Sequence, residues 1–386
     1  MRLLASTVFR LFRLLRQAVL PSPFPGLARY LQRLAVLAIF MPLFLLLQLI
    51  HWLGFALDEL LFRRYRSIEV KAPVFVLGVP RSGTTFMHRL LAEHDACTTF
   101  STWECLLAPS ISERYLGLAV ARLDRLLGRP MGRLAGWFGR RLLGRIDDVH
   151  PLSLTAPEED YLALLPVLSA FILVLPFPEA DWLWRLGRFD TEATERERRR
   201  LLRWYRRLLQ KHLYVHGANR TLLSKNASFG GMAGSLVDEF PDCRLVICQR
   251  DSLAAIRSQL DSLRFGMRAF GISENDGNFI NKLLNCIYFS YENLDDVCRR
   301  LGQERARRVA LWTLSSDPRS VMNELGEAFQ LGSSSTLDGV LSQYEAGRTP
   351  RRESAQLPEA LAGWGLDSNT LQRRFAAWRH AEGLRI

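Results

Sequence analysis

Short apolar runs alternate along the chain with longer segments whose apolar residues have helical spacing. Three of these runs, Val74–Leu77, Arg220–Ser224 and Cys243–Gln249, are each followed by a polar turn. Apolar runs of this length between helical segments are typical of strands buried in a parallel sheet. The pattern predicts an α/β protein with three layers, in which helices cover both faces of a central parallel sheet.

The N-terminal segment has a different pattern. Leu34–Leu57 carries no formal charge and is long enough to cross a bilayer as a helix. Phe9–Arg16 alternates arginine with leucine and phenylalanine, as helices on membrane surfaces do. Arginines lie on both sides of the apolar stretch, so the positive-inside rule gives no orientation. We expect residues 1–70 to attach the chain to a membrane, either spanning it or lying in its plane.

Residues 71–386 are predicted to form one catalytic domain. Within it, Glu113–Arg145 is basic and amphipathic with two glycine breaks, which indicates an inserted helical hairpin. Thr191–Lys211 is predicted to be a charged helix. Tyr161–Pro178 is apolar but short for a membrane span and broken by prolines, so we expect a buried helix that lines a pocket.

The amino-acid composition limits the classes of partner that the chain is expected to bind. The chain has 386 residues and a net charge of +12, and almost all of its positive charge comes from arginine. Such an excess favours an anionic cofactor and an anionic membrane surface. The six cysteines lack metal-ligand spacing, and no metal site is predicted. Nucleic acid is not an expected partner, because the basic residues do not interleave with aromatics in a known binding module.

The turn after the first predicted strand is a candidate anion site. Gly78 and Gly83 have the spacing of a P-loop, but Thr84 and Thr85 stand where its lysine should follow. Arg81 lies inside the turn and supplies positive charge instead. A strand, a tight turn and a helix N-terminus together direct backbone N–H groups at one anion. The turn is therefore predicted to bind a phosphate-like group, but not in the manner of an ordinary nucleotide triphosphatase.

Two motifs resemble those of sulfotransferases that use 3′-phosphoadenosine 5′-phosphosulfate (PAPS), and residues 364–367 and 373–384 resemble the closing helix of the bacterial-type and tyrosylprotein-like branch. The family's 5′-phosphosulfate loop is similar to six consecutive residues here: Pro80, Arg81, Ser82, Gly83, Thr84 and Thr85. Its 3′-phosphate element, an arginine at a strand end and a serine eight residues later, matches Arg250 and Ser258. The resemblance covers roughly 71–386. It implies a P-loop-like fold, PAPS as the sulfuryl donor, and these eight residues as the donor site.

The resemblance also implies catalytic residues. Arg81 is expected to stabilise the leaving phosphate, and Lys225 matches the family's strand-end lysine, although Asn226 replaces the proline of that motif. Sulfuryl transfer to a hydroxyl needs a base. Glu104, in a Thr-Trp-Glu element, is the favoured candidate, and Glu159 and His150 are alternatives that could act as the base or shape the acceptor pocket.

The acceptor is less defined. The membrane-linked N-terminus, the apolar run and the nearby Trp182 and Trp184 indicate a hydrophobic, lipid-like hydroxyl compound, with a protein tyrosine or a polysaccharide as the runner-up. Leu311 stands where the family usually has a tyrosine near the adenine. The catalytic domain is expected on the cytoplasmic face of a bacterial inner membrane, with a Golgi enzyme as the alternative. Two other functions stay open: a P-loop kinase or other nucleotide-binding enzyme, and an inactive membrane-anchored binding protein. The sequence gives no oligomeric state.

Overall fold

A central parallel sheet organises the chain. The computed structural model describes residues 2–22, 24, 26–130, 154–346 and 361–376. Its five strands stand in the order β2-β3-β1-β4-β5, and every pairing between them is parallel. The strands are β1 (Val74–Gly78), β2 (Cys97–Thr98), β3 (Thr221–Lys225), β4 (Arg244–Gln249) and β5 (Ala306–Ala310). The predicted α/β class and parallel sheet are confirmed.

Most of the described chain is helical. The α-helices are α1 (Arg2–Val19), α2 (Leu27–Leu61), α3 (Thr84–Ala92), α4 (Thr102–Leu106), α5 (Ile111–Leu126), α6 (Asp181–Trp184), α7 (Phe189–Glu192), α8 (Glu195–His216), α9 (Ala233–Glu239), α10 (Ser252–Ala269), α11 (Gly277–Leu301), α12 (Leu311–Ser316), α13 (Pro318–Ala328), α14 (Ser335–Ala346) and α15 (Ser368–Arg374). Short 3-10 helices cover Arg63–Ser67, Asp160–Val167, Phe171–Val174, Arg185–Arg188 and Ala227–Met232.

The alternation of side chains along β1 explains the layers. Phe75 and Leu77 point into one hydrophobic core, which they share with α8, α10 and α11. Val74 and Val76 point into a second core on the opposite face, with residues of α3 and α13. Because successive strand residues face opposite sides of a sheet, a strand that is apolar throughout needs helices on both sides.

Three predicted helices differ from the observed elements in their type or in their bounds. The apolar run Tyr161–Pro178 forms two short 3-10 helices instead of one buried helix. Pro166 lacks an N–H donor and Leu168 has a left-handed φ of 50°, so a regular helix cannot continue. The charged helix α8 begins after the Thr194 cap and continues to His216. Helix α5 is the first part of the expected hairpin, and the rest of that prediction lies outside the described residues.

Helices α1 and α2 form the N-terminal segment. Within the described residues, α2 is the one helix long and apolar enough to cross a membrane, and its most apolar 18 residues have a mean hydropathy of 2.4. Length and composition of this kind also occur in core helices of soluble proteins. One face of α2 is buried against the domain, and Asp58 near its end is fully enclosed. The Asp58 carboxylate caps α5 by accepting hydrogen bonds from the N–H groups of Ile111 and Ser112, and it pairs with Lys211 at 2.6 Å.

We expect Asp58→Ala to lower the free energy of unfolding by about 3–5 kcal/mol, because the buried Lys211 loses its counter-charge. Urea unfolding followed by circular dichroism measures the change. The double variant Asp58→Ala/Lys211→Met should be more stable than the single variant, because it leaves no orphaned charge. A double variant no more stable than Asp58→Ala would contradict this account.

Candidate active site

The loop between β1 and α3 has the geometry of an anion-binding turn. Arg81 and Gly83 both have left-handed backbone angles, with φ of 70° and 97°. A side chain at Gly83 would meet Leu311, whose Cδ1 lies 2.6 Å from where a Cβ would stand. The first N–H groups of α3, at Thr84 and Thr85, have no partner within the helix. These groups and the helix dipole favour an anion at this end of α3.

Two distant segments meet the loop. Arg81 donates from Nε to the Ser258 hydroxyl at 3.0 Å, so it touches α10. Arg250, which follows β4, donates from Nη1 to the backbone oxygen of Arg81 at 3.2 Å. Both motifs of the sequence therefore form one continuous site with two guanidinium groups. Guanidinium groups suit phosphate oxygens because they can donate two parallel hydrogen bonds.

Ser82 adds a polar atom without a protein partner. Its side chain is fully buried, and its hydroxyl has no hydrogen-bond partner among the described residues. The hydroxyl lies 2.5 Å from where a Cβ of Gly78 would stand, and Ser82 does not line the cavity beside the loop. The loop N–H groups and the guanidinium groups of Arg81 and Arg250 are therefore the groups that suit an anion here.

A cavity of about 580 Å³ opens beside the loop. One end is polar, lined by Arg81, Thr84, Thr85, Glu159 and Arg250. The remaining wall is largely apolar and comes from the 3-10 segments and from α10 and α11: Phe171, Ile172, Val174, Leu175, Leu263, Phe279, Leu283 and Ile287. A volume of this size suits a small organic ligand, and the apolar wall suits a hydrophobic one.

Lys225 and Glu159 form an ion pair at the cavity. Lys225 is the last residue of β3, next to β1, and its side chain is 4% exposed. Its Nζ lies 2.6 Å from Glu159 Oε1, and Glu159 lines the cavity. A buried lysine held by a carboxylate at the carboxyl end of a parallel strand can act on a ligand bound across that edge.

Asn226 and Asp160 hold this pair in place. The Asn226 side chain accepts a hydrogen bond from the N–H of Tyr161 at 2.9 Å and donates to Asp160. Asp160 also accepts from Tyr205 at 2.8 Å and from Ser224 at 3.1 Å. Burial raises the pKa of Asp160 to about 6. The sequence analysis did not predict these hydrogen bonds. Asn226, which replaces the motif's proline, was the feature of the sequence that could have indicated them.

Glu104 has different neighbours. Its carboxylate caps α4 through Ser101, and it accepts a hydrogen bond from His216 at 2.6 Å. Arg114, which is fully buried, lies 3.5 Å from it. Burial by itself would raise the pKa of Glu104, but the charge of Arg114 and the hydrogen bond from His216 outweigh it and hold the pKa well below its usual range. A carboxylate with such a low pKa is a weak base.

Three side chains of this cluster lie close enough together to hold a metal ion. A positively charged arginine, however, already lies beside them. Ligand atoms of Glu104, His212 and His216 lie within 4.8 Å of one another. Arg114 donates to His212 Nδ1 at 3.3 Å, so this nitrogen is already used and a positive charge is already present. Burial and the charge of Arg114 hold the pKa of His212 well below its usual value. The cluster is an internal ion pair supported by a neutral histidine.

The structure brings most of the predicted site residues together. The cavity lining contains seven of them: Pro80, Arg81, Gly83, Thr84, Thr85, Glu159 and Arg250. Ser82, Ser258 and Lys225 contact this group through the loop and the bonds above. Glu159 is on the lining and Glu104 is not, because Glu104 is paired with Arg114 and His216 instead. His150 lies outside the described residues.

The fold thus places a loop with the geometry of an anion-binding turn beside a largely apolar cavity. The sulfotransferase family profile matches residues 73–335, so the chain belongs to the sulfotransferase family. No curated protein sequence matches the chain.

Two solved structures have a similar fold. Sulfotransferase STF9 from Mycobacterium avium has 20% identity and a TM-score of 0.65, over 86% of this chain and 82% of that one. Sulfotransferase STF1 from Mycobacterium tuberculosis has 19% identity and a TM-score of 0.62, over 84% and 81%.

We expect Glu104→Gln to lower the free energy of unfolding by about 3–5 kcal/mol at pH 7, because Arg114 would lose its counter-charge. A depressed pKa stabilises the fold above the ordinary value of 4.5, and this contribution is lost as the pH falls further. The difference from wild type should therefore stay constant from neutral pH to about pH 5 and narrow below it. Urea unfolding at several pH values measures it.

The matched control is Glu93→Gln, which removes an exposed carboxylate and should change stability by less than about 0.5 kcal/mol. If Glu104→Gln were as stable as this control, the carboxylate would have no structural role.

Proposed function

We propose that the chain transfers a sulfuryl group from PAPS to the hydroxyl of a hydrophobic acceptor. The contact of Arg81 with Ser258 and of Arg250 with the Arg81 carbonyl carries this proposal, because it joins the two phosphate motifs at the polar end of an apolar cavity. An ordinary nucleotide kinase is disfavoured, since threonine follows Gly83 where a P-loop has its lysine.

The donor would supply an activated sulfuryl group, and the chain would hold its phosphates. The loop N–H groups at Thr84 and Thr85 and the guanidinium of Arg81 suit the 5′-phosphate, where negative charge increases as the donor bond breaks. Arg250 and Ser258 suit the 3′-phosphate. Fixed positive groups of this kind need no rearrangement during the reaction, which is the main source of such stabilisation.

Glu159 is our candidate for the base. Glu159 lines the same cavity as the anion loop and the apolar wall, so it could reach an acceptor hydroxyl bound there. The acceptor proton would pass to Glu159 as the oxygen attacks sulfur. Lys225 orients this carboxylate through the 2.6 Å contact and adds positive charge close to the transferred group.

The apolar wall suggests the class of acceptor. Aromatic and aliphatic side chains form most of the cavity, so we propose a lipid-like alcohol rather than a sugar polymer. The donor is made in the cytosol. We therefore propose a catalytic domain on the cytoplasmic face of a bacterial inner membrane.

We expect Arg250→Ala to weaken binding of 3′-phosphoadenosine 5′-phosphate by about ten- to a hundredfold, because a charge-assisted hydrogen bond is removed. The variant should bind nucleotides with and without the 3′-phosphate equally, and Arg81→Ala should weaken both. Calorimetry measures the affinities, and ATP serves as the competitor expected to bind poorly. Arg89→Ala, which removes an exposed arginine elsewhere on α3, is the control and should bind as wild type. If the wild-type protein bound nucleotides with and without the 3′-phosphate equally well, the assignment of PAPS as the donor would be wrong.

We expect Glu159→Gln to lower turnover by about 10²–10⁴ and to change donor affinity little, because it removes the proton acceptor but keeps the shape. Lipid extracts incubated with radiolabelled donor provide the acceptor. Glu158→Gln is the matched control and should retain turnover. If Glu104→Gln abolished turnover while Glu159→Gln retained it, the order of candidates derived from the sequence would be correct.

A further inference from the structure

Helix α2 has two faces of opposite character along its whole length. The buried face includes Arg33, Leu37, His51, Phe55 and Asp58. From Arg33 to Asp58 it extends for about 38 Å at 1.5 Å per residue. The helix is therefore attached to the catalytic domain along its side, and not only at one end.

Polar contacts fix this attachment near the start of the helix and in its last third. Arg33 makes two hydrogen bonds to Glu179, at 2.6 and 2.9 Å. His51 Nδ1 lies 2.5 Å from Glu113, and Asp58 pairs with Lys211. A spanning orientation would carry these polar partners and their loops through the hydrocarbon layer, where unsatisfied polar groups cost several kcal/mol each. The contacts are incompatible with a simple spanning anchor.

The outer face of α2 is apolar and uncovered. Ile39, Leu46, Leu53 and Leu60 are spaced by seven residues and are 72, 56, 58 and 76% exposed. Leu43, Leu49, Ile50 and Leu57 are exposed with them. Soluble monomers rarely leave a continuous apolar surface of this length in water, and such surfaces mark interaction sites.

Helix α1 extends this surface and adds charge. Phe9 and Phe12 are 64 and 66% exposed, beside the exposed Arg13 and Arg16. Residues 1–66 contain nine arginines against two acids, and both acids are already paired, Asp58 with Lys211 and Glu59 with Arg66. Exposed aromatics next to arginines complement the acyl chains and head groups of an anionic leaflet.

We propose that α1 and the outer face of α2 bind an anionic lipid leaflet. Both helices would lie in the plane of that leaflet, and the chain would not cross the membrane. Both helices contact the segment that lines the cavity. Trp52 of α2 donates to the Pro166 carbonyl and Arg10 of α1 to the Ser169 hydroxyl, in the segment that lines the cavity through Phe171 and Leu175. Membrane binding does not depend on the proposed reaction. If the reaction is as proposed, the acceptor is an alcohol dissolved in that leaflet.

Vesicle flotation of the full chain tests the surface. The protein should float with vesicles of phosphatidylcholine and phosphatidylglycerol and more weakly with phosphatidylcholine alone. Arg13→Glu/Arg16→Glu should lower partitioning to the anionic vesicles by roughly 30-fold or more, because each arginine near an anionic surface strengthens binding about fivefold. The control Arg299→Glu changes an exposed arginine at the far end of α11 and should float as wild type. An equal decrease in this control would overturn the surface as the lipid-binding face.

Labelling depth separates in-plane from spanning binding. All six cysteines are buried, so single cysteines introduced at 39, 46, 53 and 60 can carry a fluorophore selectively. Quenchers attached to lipids at the head group or mid-chain should report one similar depth for all four labels. A spanning helix would place the middle labels deepest, because these positions cover about 32 Å, the thickness of the hydrocarbon core.

A graded depth profile would overturn the proposal. So would a soluble dimer that buries these labels and does not float, because the apolar face would then bind a second copy of the chain. Binding of 3′-phosphoadenosine 5′-phosphate, measured on the same variants, reports the fold and the donor site separately from the membrane surface. Loss of flotation with retained nucleotide binding therefore identifies a failure of the surface alone.

Discussion

The shared carboxyl edge of β3, β1 and β4 is the constraint on which the rest of the site depends. Parallel strands must all end in the same direction, so the residues that follow them meet at one edge. Arg81 follows β1, Arg250 follows β4 and Lys225 ends β3. These three basic residues therefore lie at the same edge, although they are far apart in the sequence. The charge of Lys225 is offset by its pairing with Glu159, and Arg81 donates a hydrogen bond to the neutral Ser258 hydroxyl.

Several buried carboxylates in this fold are paired, and each joins separate segments of the chain. Asp58 links α2 to α5 and α8, and Glu104 links α4 to α8. Asp160 links the 3-10 segment to β3. Such groups are costly when unpaired, so they specify which segments meet more than they add to overall stability. Glu104 is an example, because its pKa is low only where the fold brings Arg114 close to it.

The N-terminal helices and the cavity share one structural element. The segment from Asp160 to Trp184 lines the cavity on one side and contacts α1 and α2 on the other. Its prolines and left-handed Leu168 keep it irregular, which allows apolar side chains to point in both directions. The outer helices therefore belong to the catalytic domain in packing terms, although the family profile begins only at residue 73.

The sequence by itself determined the sheet, the anion loop and the family, because these depend on local patterns. A buried strand is apolar throughout, and an anion-binding turn needs glycine and a helix start at fixed spacing. The matching of Arg250 and Ser258 to the loop also needed only two short motifs. Tertiary structure decided the rest. Glu104 and Glu159 are equally acidic in the sequence, but only the fold gives one a buried arginine and the other a cavity wall. The hydropathy of α2 allows either a spanning or an in-plane helix, because it averages over both faces, whereas three polar contacts on one face show how the helix packs against the rest of the chain.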